Sequence, residues 1–575
     1  MTTHDTAPAR SRSTSPVRAP NSPSSSSTTQ KTVVVIGAGL VGALAALYFA
    51  EAGWNVRVYE MRNDLRKETF SRVRSINLAL SHRGITALRG TRGVQIDKLM
   101  ALAVPMHARM VHSRTGDQAS LPYGMDGECI YSIDRRMLNE HLLDLADALP
   151  NVSLYFNHEI TSAQLDMGKV AMINRAIGEP ITVTADLVVG ADGAHSAVRR
   201  ELMRPARMAF QQEYIDHAYL ELTIPAAMPP AEAAARGNPR LAFHLDPNHL
   251  HIWPRGSYMM IALANPDGSF TCTMFAPWNL LDAVKTPADL RELFAREFAD
   301  AVPMLPDLEA EFFGNPRGPL MTIKAKPYHV LDRAVIIGDA AHAMVPFFGQ
   351  GMNCGFEDVQ VLFAHLRAHG VTATGPTSAS IPAVPRGAIK DASLGAALAS
   401  YSTARHVDVA AMCDLALANY EEMRAGVASR VFRAQRVVER LLSRALPFWA
   451  TPLYTMVAFT STPYAECLAR GRALRRIALA IVAAGGVVAL GGTVAAAMAI
   501  VARHSRSQHA PALAAAAAAT TTAVGSSSAS SGKLLEEATA TVTGAVVSVV
   551  SVMGEGPRSL MERVLETSLR VVRRE

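Results

Sequence analysis

The chain has 575 residues, 49% of them hydrophobic, with 56 basic against 50 acidic side chains and a mean hydropathy of +0.13. This length exceeds one compact domain, and the apolar content is enough for a large buried core. A net charge of +6 scattered along the chain excludes nucleic-acid binding as the primary role, and the odd set Cys129, Cys272, Cys354, Cys413 and Cys467, none at metal-ligand spacing, excludes a disulfide framework and points to a reducing compartment.

Residues 1–30 are rich in Ser, Thr, Pro and Ala, with Arg10, Arg12 and Arg18 against the single acid Asp5. Such a segment cannot bury enough surface to fold and is expected to be a disordered tail, with a composition similar to an organelle transit peptide. Order is expected from Lys31. A β-branched strand over 32–36 leads into a helix through Leu44, Leu47 and Phe49, and a second strand follows at 55–60. That is the opening of a parallel sheet. Between them stands Gly37-Ala38-Gly39-Leu40-Val41-Gly42, and Glu60 ends the next strand, 18 residues beyond Gly42. In this context Gly37 serves a tight turn, Gly39 lets a pyrophosphate approach, Gly42 permits close helix–strand packing, and Glu60 accepts from ribose hydroxyls.

Strand-like runs then alternate with helical ones: residues 181–192 read as one strand, and 200–325 as a strand-rich second unit. Pro/Ala/Gly-rich patches at 225–240 and 371–398 read as surface insertions, and 401–470 reads as helical. The run Ile477–Ala502 has no charged residue and is flanked by Arg470, Arg472, Arg475 and Arg476 before it and Arg503 and Arg506 after it. At 1.5 Å per residue it is long enough to cross a hydrocarbon core of roughly 30 Å, and the upstream arginines favour a cytosolic catalytic part. Residues 505–535 are low-complexity Ala/Thr/Ser, and 558–574 form a candidate amphipathic helix through Leu560, Met561, Val564, Leu565 and Leu569.

Two further motifs repeat a strand-to-turn design. Leu187–Gly190 leads into Ala191-Asp192-Gly193 with Arg199 beyond, and Ala334–Ile337 leads into Gly338-Asp339, followed by Pro346, Gly349, Gln350, Gly351 and Asn353. Three motifs in this order resemble the group A flavoprotein monooxygenases of the para-hydroxybenzoate hydroxylase kind. The resemblance implies an α/β fold, with a Rossmann-type FAD-binding domain over 31–200, completed by 326–400, and an inserted β-rich substrate domain over 201–325. C-terminal helices at 401–470, a transmembrane anchor at 477–502 and a tail at 503–575 follow. It further implies that Asp339 binds the ribityl chain, that Met352 and Asn353 lie by the flavin ring, and that Arg135 approaches the phosphates. Asp192 falls in a motif serving both FAD and NADPH, and Val41, Arg62 and Ala79 join the cofactor set. No second GxGxxG is present, as expected where NADPH visits without a domain of its own.

Longer stretches narrow the resemblance. Arg74–Gly84, Pro105–Met110, Leu121–Gly124, His251–Arg255 and Val345–Asp358 look like the kynurenine 3-monooxygenase family, over roughly residues 32–470. This implies hydroxylation of L-kynurenine to 3-hydroxykynurenine with bound FAD, NADPH and O2, in the kynurenine pathway of tryptophan degradation. It also implies a C-terminal anchor in the mitochondrial outer membrane, with the catalytic part facing the cytosol. Arg109 and Tyr123 match the pair that holds the substrate carboxylate, and Asn419 and Tyr454 match substrate-contacting residues. No side chain is assigned a catalytic role, because a flavin hydroperoxide carries that chemistry; His82, His195 and His342 are expected to bond backbone. The competing readings are a group A monooxygenase or epoxidase with another substrate, and a flavin-bearing scaffold without activity.

Overall fold

The computed structural model describes residues 29–68, 77–124, 127–375, 387–425, 435, 437–439, 441–443 and 450–482. Val33, Val34 and Val35 have no exposed surface, as strands covered on both faces require. They lie in a six-stranded sheet with the order His329–Val330, Ala334–Ile336, Leu187–Gly190, Thr32–Ile36, Asn55–Tyr59, Val152–Tyr155, parallel except at the first strand. The helix Leu40–Glu51 is buried along nearly its whole length. It is apolar all round because the sheet, the helix Arg135–Asp147 and the helix Gly351–Ala368 enclose it.

The single strand expected over 181–192 is two. Pro180–Thr184 alternates between half-buried and exposed residues in a three-stranded antiparallel sheet, whereas Leu187–Gly190 is wholly buried in the centre of the parallel one. The turn at Ala185-Asp186 separates a one-sided environment from a two-sided one.

The second unit is a seven-stranded sheet with the order Gly318–Lys326, Ala209–Ile224, Phe270–Pro277, Met259–Ala264, His249–Pro254, Ala108–His112, Gln118–Pro122. Its last two strands come from before residue 200, so the expected boundary at 201 is corrected. Pairing decides it: Ala108–His112 runs parallel to His249–Pro254, with Arg109 opposite Leu250. Period-two alternation divides the faces. Leu220, Leu222, Met274 and Trp253 pack on the helix Pro287–Glu297, and Phe275, Ile252, Met259 and Ile261 pack on Val345, Phe347 and Phe348. Trp253 Nε1 and His112 Nδ1 both meet the Asp300 carboxylate, at 3.0 and 2.7 Å.

The 225–240 patch carries the helix Pro230–Ala235. Of the 371–398 patch, Thr374–Gly375 pairs with Thr29–Gln30 and a long helix, Ala392–Ala425, begins within it; residues 376–386 lie outside the described residues, as do 1–28. The expected helical C-terminal part contains Ala392–Ala425, Leu453–Phe459 and a helix over 464–482. Among the described residues no helix is long and apolar enough to cross a membrane. Residues 477–482 of the apolar run continue the 464–482 helix, and its remainder, together with the tail and its candidate amphipathic helix, lies outside the described residues. All five cysteines are unpaired.

A buried ionic network ties these helices together. Arg405, 3% exposed, donates to Asp358 at 2.7 Å and reaches Glu357 at 2.8 Å and Asp408 at 3.1 Å. Glu357 also binds Arg83 at 2.5 Å, whose guanidinium lies 3.9 Å from the Tyr464 ring centre. Removing one partner of such a network strands the others as uncompensated buried charge. Arg405→Met is therefore expected to destabilise the fold by about 3–5 kcal/mol, read as a large drop in thermal unfolding temperature; an unchanged transition would show that the network carries no stability.

Candidate active site

The three sequence motifs meet at one place. Gly37 has φ +100, and a Cβ there would lie 2.5 Å from the Ala191 carbonyl oxygen and 2.9 Å from the Cα of Asp192. Only glycine lets these two strand ends abut. The Val41 side chain wedges against Gly338 and Gly355, where added Cβ atoms would come within 3.2 and 2.6 Å of it. Gly338, at φ +59, starts the turn that presents the exposed Asp339 carboxylate. Arg199 fastens two of the turns, donating to the carbonyls of Ala340 and Ala194 at 2.9 and 2.6 Å.

Beside this junction lies a cavity of about 570 Å³ lined by Gly39, Glu60, Arg62, Asn139 and Phe156 among others. Glu60 accepts from the amides of Ala38 and Arg62 at 2.9 and 3.0 Å, which fixes its carboxylate at the cavity edge. A Cβ on Gly39 would meet nothing within 4 Å, so this glycine is not required by the protein's own packing. Arg135 stands exposed at the start of its helix, capped by Asp134 accepting from Met137 N at 2.8 Å, and faces Tyr219 and Glu221 of the seven-stranded sheet.

Several of the expected site residues also bond within the protein. Asp192 accepts from Ser196 Oγ at 2.5 Å and Val198 N at 3.1 Å, bracing the start of the helix Ala197–Leu202 that Ser196 caps; burial nevertheless pushes its carboxyl up. Asn353 donates to the carbonyls of Ala79 and Gly349 at 2.8 and 2.9 Å and accepts from Ser81 N at 2.9 Å. Asn419 donates to the Phe347 carbonyl at 2.8 Å. These amides shape the walls: Asn353 clamps the 349–351 turn to the Leu78–Leu80 strand, and Asn419 holds the Phe347 loop. Met352 is buried in the main core. The histidines also differ from expectation. His342 binds the Asp358 carboxylate at 2.5 Å and His82 the Ser461 hydroxyl at 3.1 Å, while His195 is exposed. His342, Cys354 and Asp358 present ligand atoms within 4.8 Å of one another, yet Arg405 already occupies both the carboxylate and the Cys354 sulfur, so the cation there is a guanidinium.

Arg109, Tyr123 and Tyr454, distant in sequence, converge. The Tyr123 and Tyr454 rings stack at 5.0 Å, Phe348 stacks on Tyr454 at 5.4 Å, and the Arg109 guanidinium lies 4.6 Å from the Tyr454 ring centre. Leu250 and Ile261 pack around them. Arg109 Nε and the Tyr123 hydroxyl are buried without a hydrogen-bond partner. Burial pushes the Tyr123 phenol far up, with Tyr454 adding to the shift and the Arg109 cation opposing it, so it stays a neutral donor. Buried donors are nearly always satisfied, so the unpaired Arg109 Nε beside the unpaired Tyr123 hydroxyl is an arrangement able to take an anion. Asp358, Arg405 and Arg83 are functional residues that no local pattern marks: Arg83 and Asp358 lie inside the stretches of family resemblance, but nothing in their spacing announces a buried network.

The residues present fit a flavin dinucleotide: an open glycine beside a helix N-terminus, a fixed carboxylate at the cavity edge, and a second exposed carboxylate at Asp339 where the turns converge. Gly39→Val should preserve secondary structure and lose bound FAD, because only the pyrophosphate meets the new side chain. Gly42→Ala should instead destabilise the fold, since its Cβ would sit 1.9 Å from the Gly37 carbonyl oxygen. Flavin absorbance per chain, read beside circular dichroism, separates the two outcomes.

Comparisons with known proteins agree. The family described as FAD binding domain matches residues 30–375. The chain is 40% identical over 443 residues to kynurenine 3-monooxygenase of Drosophila willistoni, covering 76% of this chain and 90% of that one. It is 42% identical over 463 residues to the Chaetomium globosum protein of the same name, covering 76% and 93%. Among solved structures, 2-methyl-3-hydroxypyridine-5-carboxylic acid oxygenase is similar with TM-score 0.52 at 20% identity, over 69% of this chain and 93% of that one. PqsL, a probable FAD-dependent monooxygenase from Pseudomonas aeruginosa, is similar with TM-score 0.51 at 19% identity, over 69% and 97%. At such identities the two structures speak for the fold alone. Identity near 40% across nine-tenths of the relatives' length makes this chain a member of the kynurenine 3-monooxygenase family.

Proposed function

We propose that this protein hydroxylates L-kynurenine to 3-hydroxykynurenine, consuming NADPH, a proton and O2 and returning NADP⁺ and water. The observation that carries the substrate is the unpaired Arg109 Nε and Tyr123 hydroxyl, buried among stacked aromatic rings. An amino-acid carboxylate satisfies both donors, and a lipid substrate would leave both unsatisfied. FAD, when bound and reduced, supplies the oxygen-transferring chemistry. The protein's own part is placement and shielding. Arg109 and Tyr123 fix the carboxylate, Asn419 holds the Phe347 loop, and Leu250, Ile261, Phe348 and Tyr454 form an apolar wall that excludes water. The arylamine of the substrate activates its own ring, so no side chain is required as a base.

We also propose that the apolar run 477–502 anchors the protein in a membrane. Its length, lack of charge and flanking arginines support this, and by family resemblance the membrane is the mitochondrial outer one, with the catalytic part cytosolic.

Kynurenine-stimulated NADPH oxidation by the full-length protein, coupled to 3-hydroxykynurenine, is the expected result; oxidation yielding only hydrogen peroxide would remove kynurenine as substrate. Arg109→Leu should lower kcat/KM for kynurenine about 100-fold or more, since a charge-assisted pair is lost, while FAD content stays unchanged. Removal of residues 483–575 should release the protein from membranes, and continued sedimentation with them would overturn the anchor.

A further inference from the structure

A second pair of unsatisfied polar atoms lies on the face of the seven-stranded sheet that carries Arg109. Register aligns Glu221 with Thr273, Thr273 with Ile261, Ile261 with Ile252, and Ile252 with Val111, two residues from Arg109. Side chains alternate along a strand, so Thr273 shares the face of Phe275 and Glu221 that of Tyr219. Both of those packed neighbours belong to the cluster around Phe347 and Phe348, and the Phe275 and Phe347 rings lie 4.9 Å apart. Thr273 is fully buried, and both its Oγ1 and Glu221 Oε2 are buried without hydrogen-bond partners. Two adjacent unsatisfied groups are unusual in a protein wall unless a ligand completes them.

Resting on the kynurenine reading, we infer that Thr273 and Glu221 form the second polar anchor of the pocket and take the arylamine end of the substrate, with Glu221 acting as a positioning residue through Thr273. The strands of Arg109 and Thr273 are three sheet spacings apart and the two residues are offset by two positions, about 16 Å between backbone positions, a span that the long Arg109 side chain and an aryl amino acid bonded at both ends together bridge. Directly opposed side chains have Cβ atoms about 5 Å apart, so Thr273, which makes no bond to Glu221 in the free protein, comes within reach of donating to it by a side-chain rotation when the amine binds. The order of donors is then fixed. The arylamine N–H donates to Thr273 Oγ1, and the Thr273 hydroxyl donates to the Glu221 carboxylate. A protonated Glu221 would donate to Thr273 instead, turning the threonine proton toward the amine and breaking the chain.

Burial pushes the Glu221 carboxyl up to about 7, opposed by Arg135. The titratable and charged groups facing it are Arg135 from the neighbouring helix and Tyr219 from its own strand, while Glu311 accepts from Thr223 N at 2.7 Å. Substrate is held best with Glu221 ionised, so turnover falls as pH drops through neutrality.

The test is the pH profile of 3-hydroxykynurenine formation by full-length wild type, Glu221→Gln and Thr273→Val, with FAD content measured in each. In wild type, kcat/KM is expected to fall about tenfold from pH 8 to pH 6. Both variants keep FAD, lose that acidic limb, and show KM raised more than kcat is lowered. An identical acidic limb in Glu221→Gln and Thr273→Val, with product still formed, overturns this inference alone. A wild-type enzyme that makes no 3-hydroxykynurenine overturns the substrate reading and this inference together.

Discussion

The Asp358 carboxylate is the constraint on which the assembly of the site depends. It has no exposed surface, and it accepts from the Gly338 amide at 2.7 Å, from His342 at 2.5 Å and from Arg405 at 2.7 Å. Burial alone would raise this acid, but His342 and Arg405 hold it below the ordinary carboxylate range. One negative charge thereby fixes the turn that presents Asp339, the helix that follows the 349–351 turn, and the long helix Ala392–Ala425. Taking such a charge out of water is costly, and it is tolerated because both carboxylate oxygens meet donors, two at Oδ2 and one at Oδ1. Through Arg405, Glu357 and Arg83 the same network reaches Tyr464, so the helix leading toward the apolar C-terminal run is fastened to the nucleotide-side helix. Asp408 completes the tie by accepting from Ala465 N at 2.9 Å.

The substrate side follows a different physical logic. There the polar groups are left unpaired and the apolar surfaces are paired. Stacked rings at Tyr123, Tyr454 and Phe348 make a dry wall around Arg109, where a guanidinium interacts more strongly with an anion than it would in water. The unmade hydrogen bonds at Arg109 and Tyr123 cost stability in the free protein, and in the proposed reading the substrate carboxylate restores them. Asn353 and Asn419, expected near the ligands, hold backbone carbonyls and so keep the loops in position. Preorganised walls of this kind reduce the ordering cost of binding.

Much of this could be read from the residues. The Gly37–Gly42 turn, the paired Gly-Asp strand ends and the alternation of strands with helices are local patterns, because glycine tolerance and hydrophobic period act over a few residues. These patterns were sufficient for the nucleotide-binding architecture, and the longer stretches for the family. Local pattern failed where two environments abut. The run 181–192 has one composition but belongs to two sheets, and the strand Ala108–His112 joins a sheet whose other strands come mostly from a hundred residues further on.

Glycine spacing and hydrophobic period along the chain were enough for the dinucleotide fold and the cofactor, and the longer stretches for singling out Arg109, Tyr123 and Tyr454. That these three cluster in one buried place, that Asn353 and Asn419 bond backbone carbonyls, and that Asp358 gathers the turns follows from the packing of distant segments. The reason is physical: burial and the satisfaction of polar groups depend on which distant segments pack together. No residue's spacing along the chain records whether its hydrogen bonds will be met.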